Sequence, residues 1–131
     1  MEKLKCIIVD DDEIDRLTVL SFAKRFENLS ILGVFESADE ALSFMEHNPP
    51  DLLFLDIDMP GTNGVELRKQ ALAVPACIFI TSHPEFAVES FELDTLDFIV
   101  KPLKFDRFAQ TMRRIEEFME IKHKASLFES S

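Results

Sequence analysis

The chain has 131 residues, 25 acidic against 14 basic, and a formal net charge of −11. That acidity argues against this chain by itself gripping nucleic acid or an anionic membrane, and 47% hydrophobic content excludes a disordered chain. The length suits one domain with a self-sufficient core, no apolar stretch approaches the ~18 residues of a membrane span, and with no secretory leader the expected location is cytoplasmic.

Leu4 to Val9 reads as a first strand, followed by a helix from Glu13 to about Phe26 with Ile14, Leu17, Leu20 and Phe26 at helical spacing. Ser30 to Phe35 reads as the second strand. Ser37 and Glu40 then form a capping box that opens a helix, and Asn48-Pro49-Pro50 stops it. Leu52 to Leu55 is the third strand, and a loop of turn formers, Met59 to Gly64, leads into a short helix from Val65 to about Leu72. The fourth strand is Ala76 to Ile80, the fourth helix Pro84 to about Leu93, and the fifth strand Asp97 to Val100. The last helix, Phe105 to about Met119, aligns Phe105, Phe108, Met112, Ile115 and Met119. Past Glu120 the pattern dissolves, so residues 121–131 read as a tail or truncated linker after a domain spanning 1–120. Five strand–helix units with right-handed crossovers make an α/β, doubly wound parallel sheet. Cys6 and Cys77 lie inside its strands, where small core residues belong.

Four of the apolar runs stop on residues suited to phosphate or metal chemistry. The first ends at Asp10-Asp11-Asp12, the third at Asp56, the fourth at Thr81-Ser82 and the fifth at Lys101-Pro102. Open parallel sheets bind ligands outside the carboxyl ends of their strands, so these groups converge on one pocket. Each has an ordinary alternative: a solvated acidic turn, a strand-end hydroxyl, a surface lysine. His83 reads as an exposed capping residue rather than a catalytic base, and His47 and His123 carry no assignment. Asp56-Ile57-Asp58 also imitates the DxD signature of haloacid-dehalogenase-type phosphatases. In those, however, Thr or Val stands where Pro60 is, and an acid pair follows the lysine. An EF-hand fails at Pro60 and at Leu67, where the bidentate glutamate belongs.

Val9-Asp10-Asp11-Asp12, Leu55-Asp56-Ile57-Asp58-Met59-Pro60-Gly61 with Gly64, Thr81-Ser82 and Lys101-Pro102, in that order, resemble the receiver domain of bacterial two-component response regulators. Phe86-Ala87-Val88-Glu89-Ser90-Phe91 and Leu96-Asp97-Phe98, with no Gly-Ala pair before the fifth strand, look most like receivers attached to LytTR-type DNA-binding domains. The resemblance implies a flavodoxin-like sheet in strand order 2-1-3-4-5 with five helices. It implies Asp56 as phosphoacceptor and Mg²⁺ held by Asp10, Asp11, Asp56 and the backbone carbonyl of Asp58. Thr81 and Lys101 would contact the phosphoryl oxygens, Thr81 and Phe98 would switch with activation, and Asp58 and His83 would tune hydrolysis. The Lys101–Pro102 bond is expected to be cis. The implied partners are a sensor histidine kinase and a second copy, with phosphorylation driving dimerisation through the fourth helix, fifth strand and fifth helix. There Glu85, Glu89 and Glu92 would face Lys104, Arg107, Arg113 and Arg114 of the other copy. The output is a LytTR-type domain outside this chain, or the receiver stands alone. No turnover is expected beyond its own phosphorylation and dephosphorylation. Two departures stand out: Glu13 replaces the proline usual after the acids, and Phe98 lacks the hydroxyl of the usual tyrosine, leaving a switch by packing.

Overall fold

The computed structural model describes residues 3–130. Its strands are β1 (Leu4–Val9), β2 (Leu29–Phe35), β3 (Leu52–Leu55), β4 (Ala76–Thr81) and β5 (Thr95–Val100). Its helices are α1 (Glu13–Ala23), α2 (Ala38–Met45), α3 (Gly64–Gln70), α4 (Ala87–Phe91) and α5 (Phe105–Ser130). The strands form one parallel sheet in the order β2-β1-β3-β4-β5, as expected.

Side-chain alternation sorts the core onto two faces. Cys6, Ile8, Leu52, Phe54, Ile78 and Ile99 pack under α1 and α5 through Val19, Ala23, Phe108, Met112 and Ile115. Ile7, Val9, Leu53, Leu55, Cys77 and Phe79 pack under α2 and α3 through Ala38, Ala41, Val65 and Leu67. Every residue of β3 and β4 is buried, which is why those strands read as unbroken apolar runs. Burial pushes both free thiols up to about 12, so Cys6 and Cys77 are inert core residues.

Boundaries differ from expectation where packing overrides periodicity. The α1 helix ends at Ala23, because Arg25 and Phe26 bond back to Phe22 and Ala23 in a tightened turn that lays Phe26 on Phe105 and Phe108. The strands β2 and β5 begin earlier, at Leu29 and Thr95. The fourth helix opens as a 3-10 turn, Pro84–Phe86, before the five residues of α4. The largest correction concerns α5, which does not stop near Met119 but stays helical to Ser130. Residues 121–128 of this helix are exposed, so the apolar stripe fades. No breaker intervenes, though, and an i,i+4 pair between Glu120 and Lys124 at 3.2 Å supports the turn.

Candidate functional site at the carboxyl edge of the sheet

Asp56 leaves β3 at the sheet's centre, its backbone N–H donating to Val9 O, and its residue is 6% exposed. Its Oδ1 accepts the Ile57 N–H at 2.7 Å, which fixes the carboxylate against its own backbone. The start of α3 packs against the same residue. A Cβ on Gly64 would lie 1.9 Å from Asp56 O and 2.8 Å from Asp56 C, so only glycine permits this approach. Gly64 N also donates to Ile57 O at 2.9 Å, closing the loop beneath the acid.

Asp10 ends β1 and is 3% exposed. Its Oδ1 accepts from the Asp12 N–H at 2.9 Å, and its carbonyl accepts from Arg16 Nη1 at 2.9 Å. Asp12 belongs to local structure: its Oδ2 accepts from the Asp15 N–H at 2.9 Å as the N-cap of α1. Asp10, Asp11 and Asp56 each bring a carboxylate oxygen within 4.8 Å of the others. Burial raises Asp10 to about 6, and burial together with the Asp56 charge raises Asp11. The site therefore carries more negative charge than its surroundings satisfy.

Lys101 is the cation that meets this charge. Its Nζ donates to Asp15 Oδ2 at 2.7 Å, to Asp10 Oδ2 at 2.9 Å and to Asp56 Oδ2 at 3.3 Å. Burial opposes the ammonium form, but the bonds to Asp15 and Asp10 outweigh it and hold Lys101 above its usual range. The Lys101–Pro102 bond is cis, and Lys101 N donates to Thr81 O at 2.8 Å, so the ends of β4 and β5 are tied together.

Thr81 is fully buried, and its Oγ1 accepts from the His83 N–H at 3.2 Å. His83 occupies the N-cap position of the 3-10 turn but makes no capping bond, contrary to the capping expectation. Its ring bridges two acids instead, with Nε2 3.1 Å from Asp58 Oδ2 and Nδ1 3.0 Å from Glu85 Oε1. The bond to Glu85 raises the imidazole pKa, with Asp58 adding to it. The expected tuning pair, Asp58 and His83, is thus in direct contact across the mouth of the site. Phe98 is half-buried, with ring centroids of Phe79 at 6.3 Å and Phe91 at 6.5 Å.

Three polar residues went unmarked by sequence reasoning. Asp15 lies four residues after Asp11, the one helical turn that would have flagged it. Asp97 is buried on β5 and accepts from Arg107 Nη1 and Nη2 at 2.8 and 2.9 Å, from Thr111 Oγ1 at 2.7 Å and from Arg114 Nη1 at 2.9 Å. Burial works against that carboxylate, yet Arg107 and Thr111 keep it below the usual range. Arg68, 1% exposed, donates to the carbonyls of Ala71, Val74, Leu93 and Asp94. It clasps the turn in which Asp94 adopts φ 54°, a conformation aspartate tolerates better than most residues.

Known proteins share this fold and much of this sequence. The family model for the response regulator receiver domain matches residues 6–113. The sensory transduction protein LytT of Bacillus anthracis is 32% identical over 117 residues, covering 87% of this chain and 48% of that protein. The transcriptional regulatory protein YpdB of Escherichia coli strain K12 is 34% identical over 116 residues, covering 86% and 48%. The solved response regulatory domain of mrkE from Klebsiella pneumoniae superposes with a TM-score of 0.83 at 30% identity, covering 89% of this chain and 99% of that one. The REC domain of AraT from Geobacillus stearothermophilus follows with 0.81 at 26% identity, covering 92% and 98%. This chain spans about half the length of the curated relatives it matches. It belongs to the family of response regulator receiver domains.

Proposed function

We propose that this receiver, a phosphoryl-accepting switch by family, takes its phosphoryl group onto Asp56 from the phosphohistidine of a sensor histidine kinase. One observation carries the reading: a buried carboxylate ends the central strand within reach of two further acids and one lysine. A carboxylate is a weak nucleophile, but a phosphohistidine is a reactive donor, so positioning and charge neutralisation suffice. The residues fit Mg²⁺, since three clustered carboxylates, Asp10 and Asp56 buried and Asp11 exposed, offer hard oxygen ligands. Asp10, Asp11, Asp56 and the Asp58 carbonyl would hold the ion, which would neutralise phosphoryl charge. Lys101 supplies a compact cation on the other side. Thr81 donates its hydroxyl to a phosphoryl oxygen, drawing the end of β4 inward. That movement frees space beside Phe98, which switches by packing.

The output reading rests on relatives twice as long as this chain, among them a transcriptional regulatory protein. A LytTR-type DNA-binding domain joined beyond α5, in a cytoplasmic regulator, suits residues 1–120 as receiver and 121–131 as the connection. Dimerisation through α4, β5 and α5 keeps its place, but its chemical basis changes. Arg107 and Arg114 are committed to Asp97 of their own chain, and Glu89 lies 3.9 Å from Lys69. Exposed apolar side chains, Val88 at 78%, Phe91 at 57% and Val100 at 46%, join the exposed Glu92, Lys104 and Arg113 on and beside these elements instead. Beryllofluoride with Mg²⁺, followed by ¹⁹F NMR, tests the acceptor. The wild type loads and Asp56→Ala does not; equal loading of both would overturn the assignment. Steady hydrolysis of p-nitrophenyl phosphate would contradict a switch without turnover.

A further inference from the structure

We propose that Asp15 is a positioning residue that holds the Lys101 ammonium toward α1 in the resting protein and so weakens the site's grip on a phosphoryl group. The proposal rests on the acceptor reading above.

An ammonium has three N–H donors, and in Lys101 all three are taken. The shortest bond goes to Asp15 at 2.7 Å and the longest to Asp56 at 3.3 Å. Asp15 is also the member of the trio outside the cation-sized cluster of Asp10, Asp11 and Asp56. A cation in that cluster would offset the charge of Asp10 and Asp56, and Asp15 would remain the uncompensated competitor for the lysine. Its place is fixed by the backbone, because Asp12 caps α1 through the Asp15 N–H. Among the described residues, the only ion pair Asp15 makes is with Lys101.

A phosphoryl oxygen arriving at Asp56 must therefore draw the lysine off a carboxylate that keeps its full charge. The same carboxylate repels the incoming anion. Both effects point one way: removing the charge at position 15 strengthens phosphoryl binding. An acid in the first turn also favours α1 through the helix dipole. That role would change stability alone, with no dependence on Lys101.

The test is a double-mutant cycle read by ¹⁹F NMR titration of beryllofluoride in saturating Mg²⁺. Asp15→Asn is expected to bind beryllofluoride about three- to tenfold more tightly, within the range for coupled neighbours. Asp15→Glu, which keeps the charge within reach of Lys101, stays near wild type. In a Lys101→Gln background only the gain from lost repulsion remains, so Asp15→Asn gains at least about twofold less than in the wild type. Unchanged or weaker binding by Asp15→Asn overturns the proposal, as does an equal gain with and without Lys101. Failure of the wild type to load would overturn the acceptor reading and this proposal with it. Normal loading with no effect at position 15 overturns this proposal alone.

Discussion

Replacing Asp10, the buried acid of the proposed site, by asparagine should show how much its ionisation costs the fold. Burial raises its carboxyl from 3.8 to about 6. At about 1.4 kcal/mol per unit, a shift of about two units costs the folded protein about 3 kcal/mol when Asp10 is ionised. The sign follows from proton binding. Below about pH 4, Asp10 is protonated in both folded and unfolded chains, and the cost is absent. Between about pH 4 and 6 only the unfolded chain has released the proton, so stability falls as pH rises through that window. Above about pH 6 the full cost is present. The attraction to Lys101 is already inside that net shift, but asparagine, keeping its one oxygen for the Asp12 N–H, turns an NH₂ donor instead of an acceptor toward Lys101, an unmade hydrogen bond of about 1 kcal/mol or more. In chelator at pH 7.5, Asp10→Asn should therefore gain about 1–2 kcal/mol. That raises the melting temperature by several degrees for a domain of this size. At pH 4 the gain should vanish. Urea denaturation at the two pH values measures it. An equal gain at both, or a loss at pH 7.5, would refute the desolvation argument.

Other perturbations test the scaffold. Gly64→Ala drives a Cβ into the Asp56 backbone; it should cost about 2–3 kcal/mol in urea denaturation and abolish beryllofluoride loading, and an unchanged midpoint would mean α3 yields freely. Asp97→Ala strands Arg107 and Arg114, both partly exposed. It should cost about 2–3 kcal/mol, below the range for fully buried pairs, with faster amide exchange in residues 105–115; protected amides would rule out Asp97 as the β5–α5 tie. Asp58→Asn and His83→Ala break the bridge over the site mouth. Each should change the dephosphorylation rate severalfold, and decay curves identical to wild type would remove the pair from the mechanism.

The sheet was legible because β1, β3 and β4 lie at its centre. There, burial on both faces leaves runs, Cys6–Val9, Leu52–Leu55 and Ala76–Ile80, with no charged residue before the acid or hydroxyl that ends them. The candidate site was legible in a related way: Asp10, Asp56 and Thr81 end the runs of central strands, and Lys101 follows the short apolar end of edge strand β5. Polar groups that serve the scaffold were hidden. Asp97 reads as the first residue of a strand, yet β5 starts two residues earlier, and strand alternation puts its carboxylate on the α5 side with Ile99. Arg107, Thr111 and Arg114 form a visible stripe at helical spacing, but nothing in the sequence says which acid they meet. Arg68 looks like any surface cation on an amphipathic helix. Its burial follows from four carbonyls converging from two turns, a tertiary fact. Asp15 was masked by its neighbours, since acids in a first helical turn are expected anyway. The end of α5 was misjudged because an exposed helix needs no apolar stripe to persist.

Chemical identification of the phosphorylated residue tests the central claim most directly. The protein would be incubated with acetyl phosphate and Mg²⁺, the acyl phosphate reduced with borohydride, and the modified peptide sequenced by mass spectrometry. Reduction at Asp56, lost when Mg²⁺ is chelated and lost in Asp56→Asn, is the expected result. Modification at Asp10, Asp11 or a histidine, or equal labelling of Asp56→Asn, would contradict the account.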